Sequence, residues 1–236
     1  MANLQDIKRR RASVRKTQKI TRAMKMVAAA KLRRAQESLL RARPYAYRIR
    51  ELVGDLAGRA DTRVHPLLRR DHRANGKDVA IVVTGERGFC GAFNSSVINE
   101  VLRGFADRFE DRPVELVVIG RRGADSLKRK HEGVIATHTG VIDGPIDEAA
   151  HDIVAPQAAR FASGEVDEVV FVYNEFISAI SQQVKVERLL PFDASESSGQ
   201  AINYTYEPTR PSVTSALFTR HLEIQMQRVQ MESAAG

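Results

Sequence analysis

The first fifty residues carry apolar and small side chains at alternating intervals of three and four, which is the repeat of a coiled-coil helix. The pattern predicts one helix from Leu4 to about Gly54, which at about 1.5 Å per residue would form a rod roughly 75 Å long. Pro44 is predicted to kink this helix or to remove one backbone hydrogen bond from it. We call the positions at these intervals of three and four the seam. Polar Arg11, Gln18 and Lys25 interrupt it. Its other members begin with Leu4, Ile7, Val14, Thr21, Ala28, Leu32, Ala35 and Leu39 and continue to Val53.

A second apolar patch lies on the same predicted helix, about 90° away from the seam. It consists of Ile20, Met24 and Val27. A single partner helix would cover the seam and leave this patch exposed. The sequence therefore predicts that the helix meets two different apolar surroundings.

The middle of the chain alternates predicted strands and helices. Short runs rich in Val and Ile are typical of buried parallel strands, and their alternation with helices favours a mostly parallel sheet covered on both faces. The predicted strands are 78–84, 114–120 and 166–173, with a weaker one at 133–137, an edge strand at 180–191 and a short strand at 202–208. The predicted helices lie near 93–109, 121–130 and 146–162.

A last helix is predicted to begin near Ser212, and it could pair antiparallel with the first. The predicted fold is therefore an α/β protein in which long end helices form an antiparallel coiled coil beside a Rossmann-like central domain. We expect an N-terminal helix at 1–57, a connector at 58–77, the α/β domain at 78–208 and the start of the C-terminal helix at 209–236.

Charge is distributed unevenly along the chain. Residues 1–50 contain sixteen Lys and Arg but two acidic residues, whereas the remaining residues are mildly acidic. A basic helix could bind nucleic acid through its phosphates. A phosphate-binding helix needs only an outward basic face, however, so nucleic-acid binding explains neither the long seam nor the second patch. It remains the alternative to a rod that reaches into a larger assembly.

Residues with catalytic or ligand-binding potential form no known motif. The glycines at 85, 88 and 91 follow a strand but are spaced GxxGxxG, which favours a tight turn over a phosphate-binding loop. The six histidines lack metal-ligand spacing and are predicted to be surface or capping residues. Cys90 is predicted to be a small buried thiol. We expect no catalytic residue, metal or cofactor in this chain.

Several segments resemble the gamma subunit of the F-type, proton-translocating ATP synthase, in order and along the whole chain. The segment SVRKTQKITRAMKMVAAAKLRRAQ (13–36) resembles the N-terminal signature of that family. It is followed by RPYA (43–46), GERGFCGAFN (85–94), IGRRG (119–123), YNEFISAISQQ (173–183), LLP (189–191) and YTYEP (204–208).

The resemblance implies a non-catalytic rotating shaft that couples proton flow through a membrane ring to ATP synthesis and hydrolysis. The implied partners are the alpha and beta subunits, the epsilon subunit and the c-subunit ring, with no nucleic acid, at the cytoplasmic side of a bacterial inner membrane. Relative to the family, most of the C-terminal helix is expected to be missing. The implied alpha/beta contacts are Ile20, Met24, Lys25 and Val27, and the implied foot near the ring and epsilon contains Tyr204, Tyr206 and Glu207.

Overall fold

A computed structural model describes residues 4–59, 65–68, 76–109, 112–141, 146–178, 181–192 and 204–235. Helix α1, Leu4–Arg59, contains 56 residues and confirms the long helix predicted from the seam. At about 1.5 Å per residue it is roughly 84 Å long. Pro44 lies in its interior, where it has no N–H to donate to the carbonyl of Leu40.

The sheet has five strands in the order β3-β2-β1-β4-β5. Strands β1 to β4 run parallel to one another. Strand β5 pairs antiparallel with β4 at one edge. The mostly parallel sheet, the weaker strand and the edge strand are therefore confirmed. The strands are β1 Asp78–Val83, β2 Val114–Ile119, β3 Val134–His138, β4 Glu168–Ser178 and β5 Ser181–Leu190.

Helices cover both faces of this sheet. Alternate residues of β1 point to opposite faces, so that Val79 and Ile81 belong to one hydrophobic cluster and Ala80 and Val82 to the other. The first cluster includes residues of α1, α5 and α6, and the second includes residues of α2, α3 and α4. These helices are α2 Phe93–Asn99, joined by a π-helical turn at Glu100–Gly104 to α3 Phe105–Phe109, then α4 Arg121–Leu127, α5 Ile146–Ser163 and α6 Arg210–Ala235.

Helix α6 packs antiparallel against the second half of α1, as the sequence predicts. Arg43 of α1 contacts Glu232 of α6. Arg50, seven residues later on α1, contacts Gln225, which lies seven residues earlier on α6. Phe218 and Leu222 of α6 are buried in the cluster shared with α1 and the sheet. Helix α6 therefore fills the space between α1 and the sheet.

The predicted short strand at 202–208 is wrong for the part that the structure describes. Residues 204–208 are irregular, and residues 202 and 203 lie outside the described ranges. The alternating Tyr204 and Tyr206 resemble one face of a strand, but their rings pack against the cluster beneath α1 and α6. Alternation alone cannot tell a sheet edge from a loop that rests on helices.

The connector is described only in part. Pro66–Leu68 forms a short 3-10 helix whose two leucines are buried. Within the described ranges, no helix is both long enough and apolar enough to cross a lipid bilayer.

Candidate functional site

The candidate site is the first part of α1, residues 4–34, which we call the arm. Every residue from Leu4 to Lys31 is exposed. The ring-contact residues expected from the resemblance are all on this surface, and 66% of Met24 is accessible to solvent. Ile20, Lys25 and Val27 are exposed with it. The second apolar patch is therefore uncovered within the described chain.

The predicted seam divides into an uncovered and a covered part. Its first members are exposed, namely Leu4, Ile7, Val14, Thr21 and Ala28. Leu32 and Ala35 are half-buried, and Leu39 is fully buried. From about Leu32 onward, the seam therefore has a partner helix. Before Leu32, no described residue covers it.

The arm is strongly basic as well as apolar. It carries twelve Lys and Arg residues and one acidic residue, Asp6. Among the residues that the structure describes, the cations from Lys8 to Lys31 form no ion pair, and the first pair on α1 joins Arg33 to Glu37. The arm therefore combines exposed apolar surface with unneutralised positive charge, which suits a partner with apolar and acidic surface.

A bidentate ion pair fixes the base of the arm to α6. Arg43 donates from Nε and Nη2 to the two oxygens of Glu232 at 2.9 and 2.8 Å. Glu232 also accepts the backbone N–H of Phe176 at 3.0 Å, and Arg43 donates to the carbonyl of the same residue at 2.8 Å. These hydrogen bonds to Glu232 raise the pKa of the Arg43 guanidinium. Helices α1 and α6 and strand β4 therefore meet in one hydrogen-bonded cluster.

A second cluster lies two turns further down α1. Arg228, only 1% exposed, donates to Glu187 at 2.7 Å and to the hydroxyl of Tyr173 at 2.9 Å. Arg50 contacts the same carboxylate, and Tyr173 donates its hydroxyl to it at 2.6 Å. Gln225 accepts from both arginines and donates to the Ala46 carbonyl. We call these two clusters together the anchor.

Sequence reasoning missed the anchor, although a signal was present. Arg43 and Arg50 are seven residues apart on α1, and Gln225, Arg228 and Glu232 follow helical spacing on α6. Complementary polar residues with the same period on two predicted partner helices indicate a charged seam beside the apolar one.

The predicted foot residues occupy different surroundings. Tyr204 is half-buried and donates its hydroxyl to Asp55 of α1 at 3.0 Å. The ring of Tyr206 lies 5.6 Å from the guanidinium of Arg210. Glu207 is exposed. Tyr204 thus helps to fix the end of α1, and Glu207 presents its carboxylate outward.

The glycine segment after β1 forms a turn that closes on itself. The N–H of Gly85 donates to the side-chain oxygen of Asn94 at 2.7 Å, and the amide of Asn94 donates to the Arg87 carbonyl at 3.3 Å. The predicted tight turn is therefore confirmed. Cys90 lies exposed on this turn, so the prediction of a buried thiol is wrong. The loop runs outside the sheet, where a small side chain has no core to enter.

The histidines behave differently from one another. His65 and His131 each accept a backbone N–H two residues ahead, as expected of capping residues. The expectation of a surface or capping role is wrong for His221, which is buried on α6. His72 lies outside the described residues. Within the described ranges, no group of His, Cys, Asp or Glu is placed to hold a metal ion.

Comparisons with known proteins point in one direction. A family model described as ATP synthase matches residues 3–236. The chain is 39% identical over 245 residues to the ATP synthase gamma chain of Chlorobium phaeobacteroides (strain BS1), covering 100% of this chain and 82% of that one. It is 41% identical over 244 residues to the gamma chain of Anaeromyxobacter sp. (strain Fw109-5), covering 100% and 83%.

A solved structure has a similar fold. It is the central stalk and c-ring structure of the Tetrahymena thermophila mitochondrial ATP synthase. The TM-score is 0.67 at 24% sequence identity, and the match covers 92% of this chain and 93% of that chain.

Proposed function

The chain belongs to the family of ATP synthase gamma chains, and from this premise we propose how its structure serves as the rotating shaft of the enzyme. In this proposal the end helices, 1–57 and 209–236, form the shaft and the α/β domain at 78–208 forms its body. The shaft couples proton flow through a membrane ring to ATP synthesis and hydrolysis in other subunits. The observation that carries the proposal is the arm, whose seam and second patch are both exposed on a helix anchored at its base.

The proposed surroundings of the arm are the alpha and beta subunits. Ile20, Met24, Lys25 and Val27 face them, with Lys25 directed at acidic partner segments. Screened attraction between such charges acts across a few ångströms and does not require a rigid fit. The exposure of these four side chains within the described chain supports this assignment.

A rotating shaft needs contacts that slide. Ala28, Ala29 and Ala30 offer small side chains, and Met24 offers a flexible and polarisable one. None of the four can form a strong directional bond with the enclosing subunits. The composition of the arm therefore favours smooth, undirected contact.

The body completes the proposal. Tyr204, Tyr206 and Glu207 lie toward the c-subunit ring and the epsilon subunit, and the chain takes part in regulating ATPase activity. The chain itself is non-catalytic, binds no cofactor and sits peripherally at the cytoplasmic side of a bacterial inner membrane.

The test is a charge placed on the second patch of the arm. Met24→Lys adds a cation where the proposal puts the moving beta subunit, so we expect fewer protons pumped per ATP hydrolysed. The measurement is ATP-driven proton pumping by the complex reconstituted in vesicles, divided by its ATPase rate.

Met26→Lys is the matched control. Met26 is 65% exposed, nearly the same as Met24, but it points away from both the patch and the seam. We expect a smaller change for this variant. An unchanged pumping ratio for Met24→Lys would overturn the proposed contact.

A second experiment addresses the nucleic-acid alternative. We expect the chain to co-purify with alpha and beta subunits in high salt, where phosphate-mediated binding is lost. Salt-sensitive RNA binding without co-purification would instead favour a nucleic-acid-binding protein.

A further inference from the structure

A cavity of about 290 Å³ lies beside the lower cluster of the anchor, between α1, α6 and strand β5. One wall is aromatic and aliphatic, and it includes Val53, Phe171, Leu189 and Phe192. An apolar protein cavity of about 150 Å³ already accepts benzene, so this one has room for a substituted aromatic ring. Its volume is near the lower end of the range typical of small-molecule sites.

The charged side chains at the cavity are already paired within the chain. Lys185 and Arg188 each donate at 2.8 Å, to Glu175 and Glu168 respectively. The carboxylate of Glu187 contacts arginines of both α1 and α6. An ion that entered the cavity would lose its hydration without gaining a free countercharge, so the cavity favours an uncharged molecule.

One buried polar atom at the cavity has no partner. His221 lines the cavity and is 4% exposed, and its Nδ1 forms no hydrogen bond within the described part of the chain. By contrast, Gln225 on the same helix accepts from two arginines and donates to the carbonyl of Ala46. Burial, together with the charges of Arg50 and Arg228, lowers the pKa of His221 to about 3, so its ring is neutral at pH 7. Because a buried ring nitrogen is normally hydrogen-bonded, we expect its partner inside the cavity.

Water alone would fill this cavity poorly. A water occupies about 30 Å³ in the liquid and needs two to four polar partners when it is buried, so several waters would compete for few groups. The apolar wall offers them none. One molecule with a mostly apolar surface and a single hydrogen-bonding group matches the cavity better.

We propose that this cavity binds a phenol, that is, an uncharged aromatic ring that carries one hydroxyl group. The hydroxyl can donate to Nδ1 of His221 or accept from it, according to the tautomer of the neutral imidazole. The rings of His221 and Phe192 already meet edge to face, with their centroids 5.3 Å apart, and a ligand ring can extend this contact. Lys185 and Arg188 form the rim, where side-chain exposures of 39% and 49% leave a path for entry.

This inference does not depend on the proposed rotation. The cavity lies behind the anchor, and none of its lining residues belongs to the arm. Its test measures ligand binding by the full chain alone, so its failure would leave the proposed shaft intact.

The test is calorimetric titration of the full chain at neutral pH with phenol, and with benzene as the matched ring that lacks the hydroxyl. We expect a dissociation constant of about 1 mM or below for phenol. Benzene should bind about tenfold more weakly, because it leaves Nδ1 of His221 without a partner. Benzoate, which carries an anionic group on the same ring, should bind more weakly than either.

Two variants locate the binding. His221→Leu removes the ring nitrogen and keeps an apolar side chain, so the preference for phenol over benzene should disappear while benzene still binds. Val53→Phe places a ring in the cavity and should weaken the binding of both molecules. His151→Leu is the control, because the side chain of His151 is 55% exposed on α5 and does not line the cavity. It should bind phenol as the original chain does.

Three results would overturn the proposal. The first is the absence of phenol binding by the original chain, which would mean that water alone fills the cavity. The second is a preference for phenol that His221→Leu leaves unchanged, or binding that Val53→Phe leaves unchanged. The third is tighter binding of benzoate than of phenol, which would mean that the site selects an anion.

Discussion

Helix α1 contains two regions with the same repeat and different surroundings. The arm, residues 4–34, exposes its cations and its seam as far as Ala28, whereas residues 35–59, which we call the root, bury most of their seam against α6 and the sheet and partly bury Arg43 and Arg50. Arg43 and Arg50 of the root are paired with glutamates, while the arm's cations from Lys8 to Lys31 have no ion-pair partner in the described chain. The same periodic pattern therefore packs against the rest of the chain in the root and stays available to other molecules in the arm.

The largest effect is expected from removing the charge at the centre of the lower anchor cluster. Glu187→Gln leaves Arg50 and Arg228 close together without their shared carboxylate, and breaking a buried ion pair costs about 3–5 kcal/mol. We expect a loss of this size in the free energy of unfolding measured with urea.

The control for that prediction lies on the border of the arm. Glu37→Gln removes the exposed pair with Arg33, and such pairs contribute about 0–1 kcal/mol. Equal losses for Glu37→Gln and Glu187→Gln would mean that burial does not strengthen the ion pairs of the anchor.

A smaller effect is expected from the seam itself. Leu39→Ala removes a fully buried side chain from the root and should cost about 2–4 kcal/mol in the free energy of unfolding. Leu4→Ala makes the same change at a seam position of the arm that is 65% exposed, and the isolated chain should lose less than about 0.5 kcal/mol. A comparable loss at both positions would show that the arm's seam is covered in the isolated chain.

The smallest effect is a pH dependence that comes from His221 of α6, beside the root. His221 is neutral in the folded chain because its pKa is lowered to about 3, but in the unfolded chain it is protonated below its ordinary value. Its contribution to stability is therefore complete above about pH 6.5 and is lost as the pH falls toward 3. Between pH 6.5 and 5 the free energy of unfolding should fall by about 2 kcal/mol from this residue.

The variant His221→Gln isolates that contribution. The difference in urea stability between the original chain and the variant should shrink by that amount between pH 6.5 and 5. A constant difference over this range would mean that His221 is protonated in the folded chain.

Much of this comparison could be predicted from sequence because it depends on local period. The seam residues Leu39, Ala46 and Val53 are all buried, and the helix and the parallel strands lie where apolar spacing predicts them. Spacing also separated the second patch, with Met24, from the seam. The spacing does not specify where α6 lies along α1. That position determines which half of the seam is covered by α6.

Contacts between distant residues could not be predicted in this way. Arg43 and Glu232 are 189 positions apart, and their pairing depends on the register of two helices. The exposure of Cys90 depends on how its loop leaves the sheet. The cavity of about 290 Å³ between α1, α6 and β5 is likewise a product of packing, since no single segment encodes its walls.

Pro44 has a mechanical consequence for α1. A rod held at one end experiences its greatest bending moment at the edge of its support, and in this chain the support extends about one turn beyond the pair of Arg43 and Glu232, to the buried Leu39. Pro44 removes one longitudinal hydrogen bond from the rod at this level, which lowers its local flexural stiffness. The bidentate pair of Arg43 braces the helix one residue away. Sideways load on the arm is therefore concentrated at this braced joint, and the long segment beyond it can remain straight.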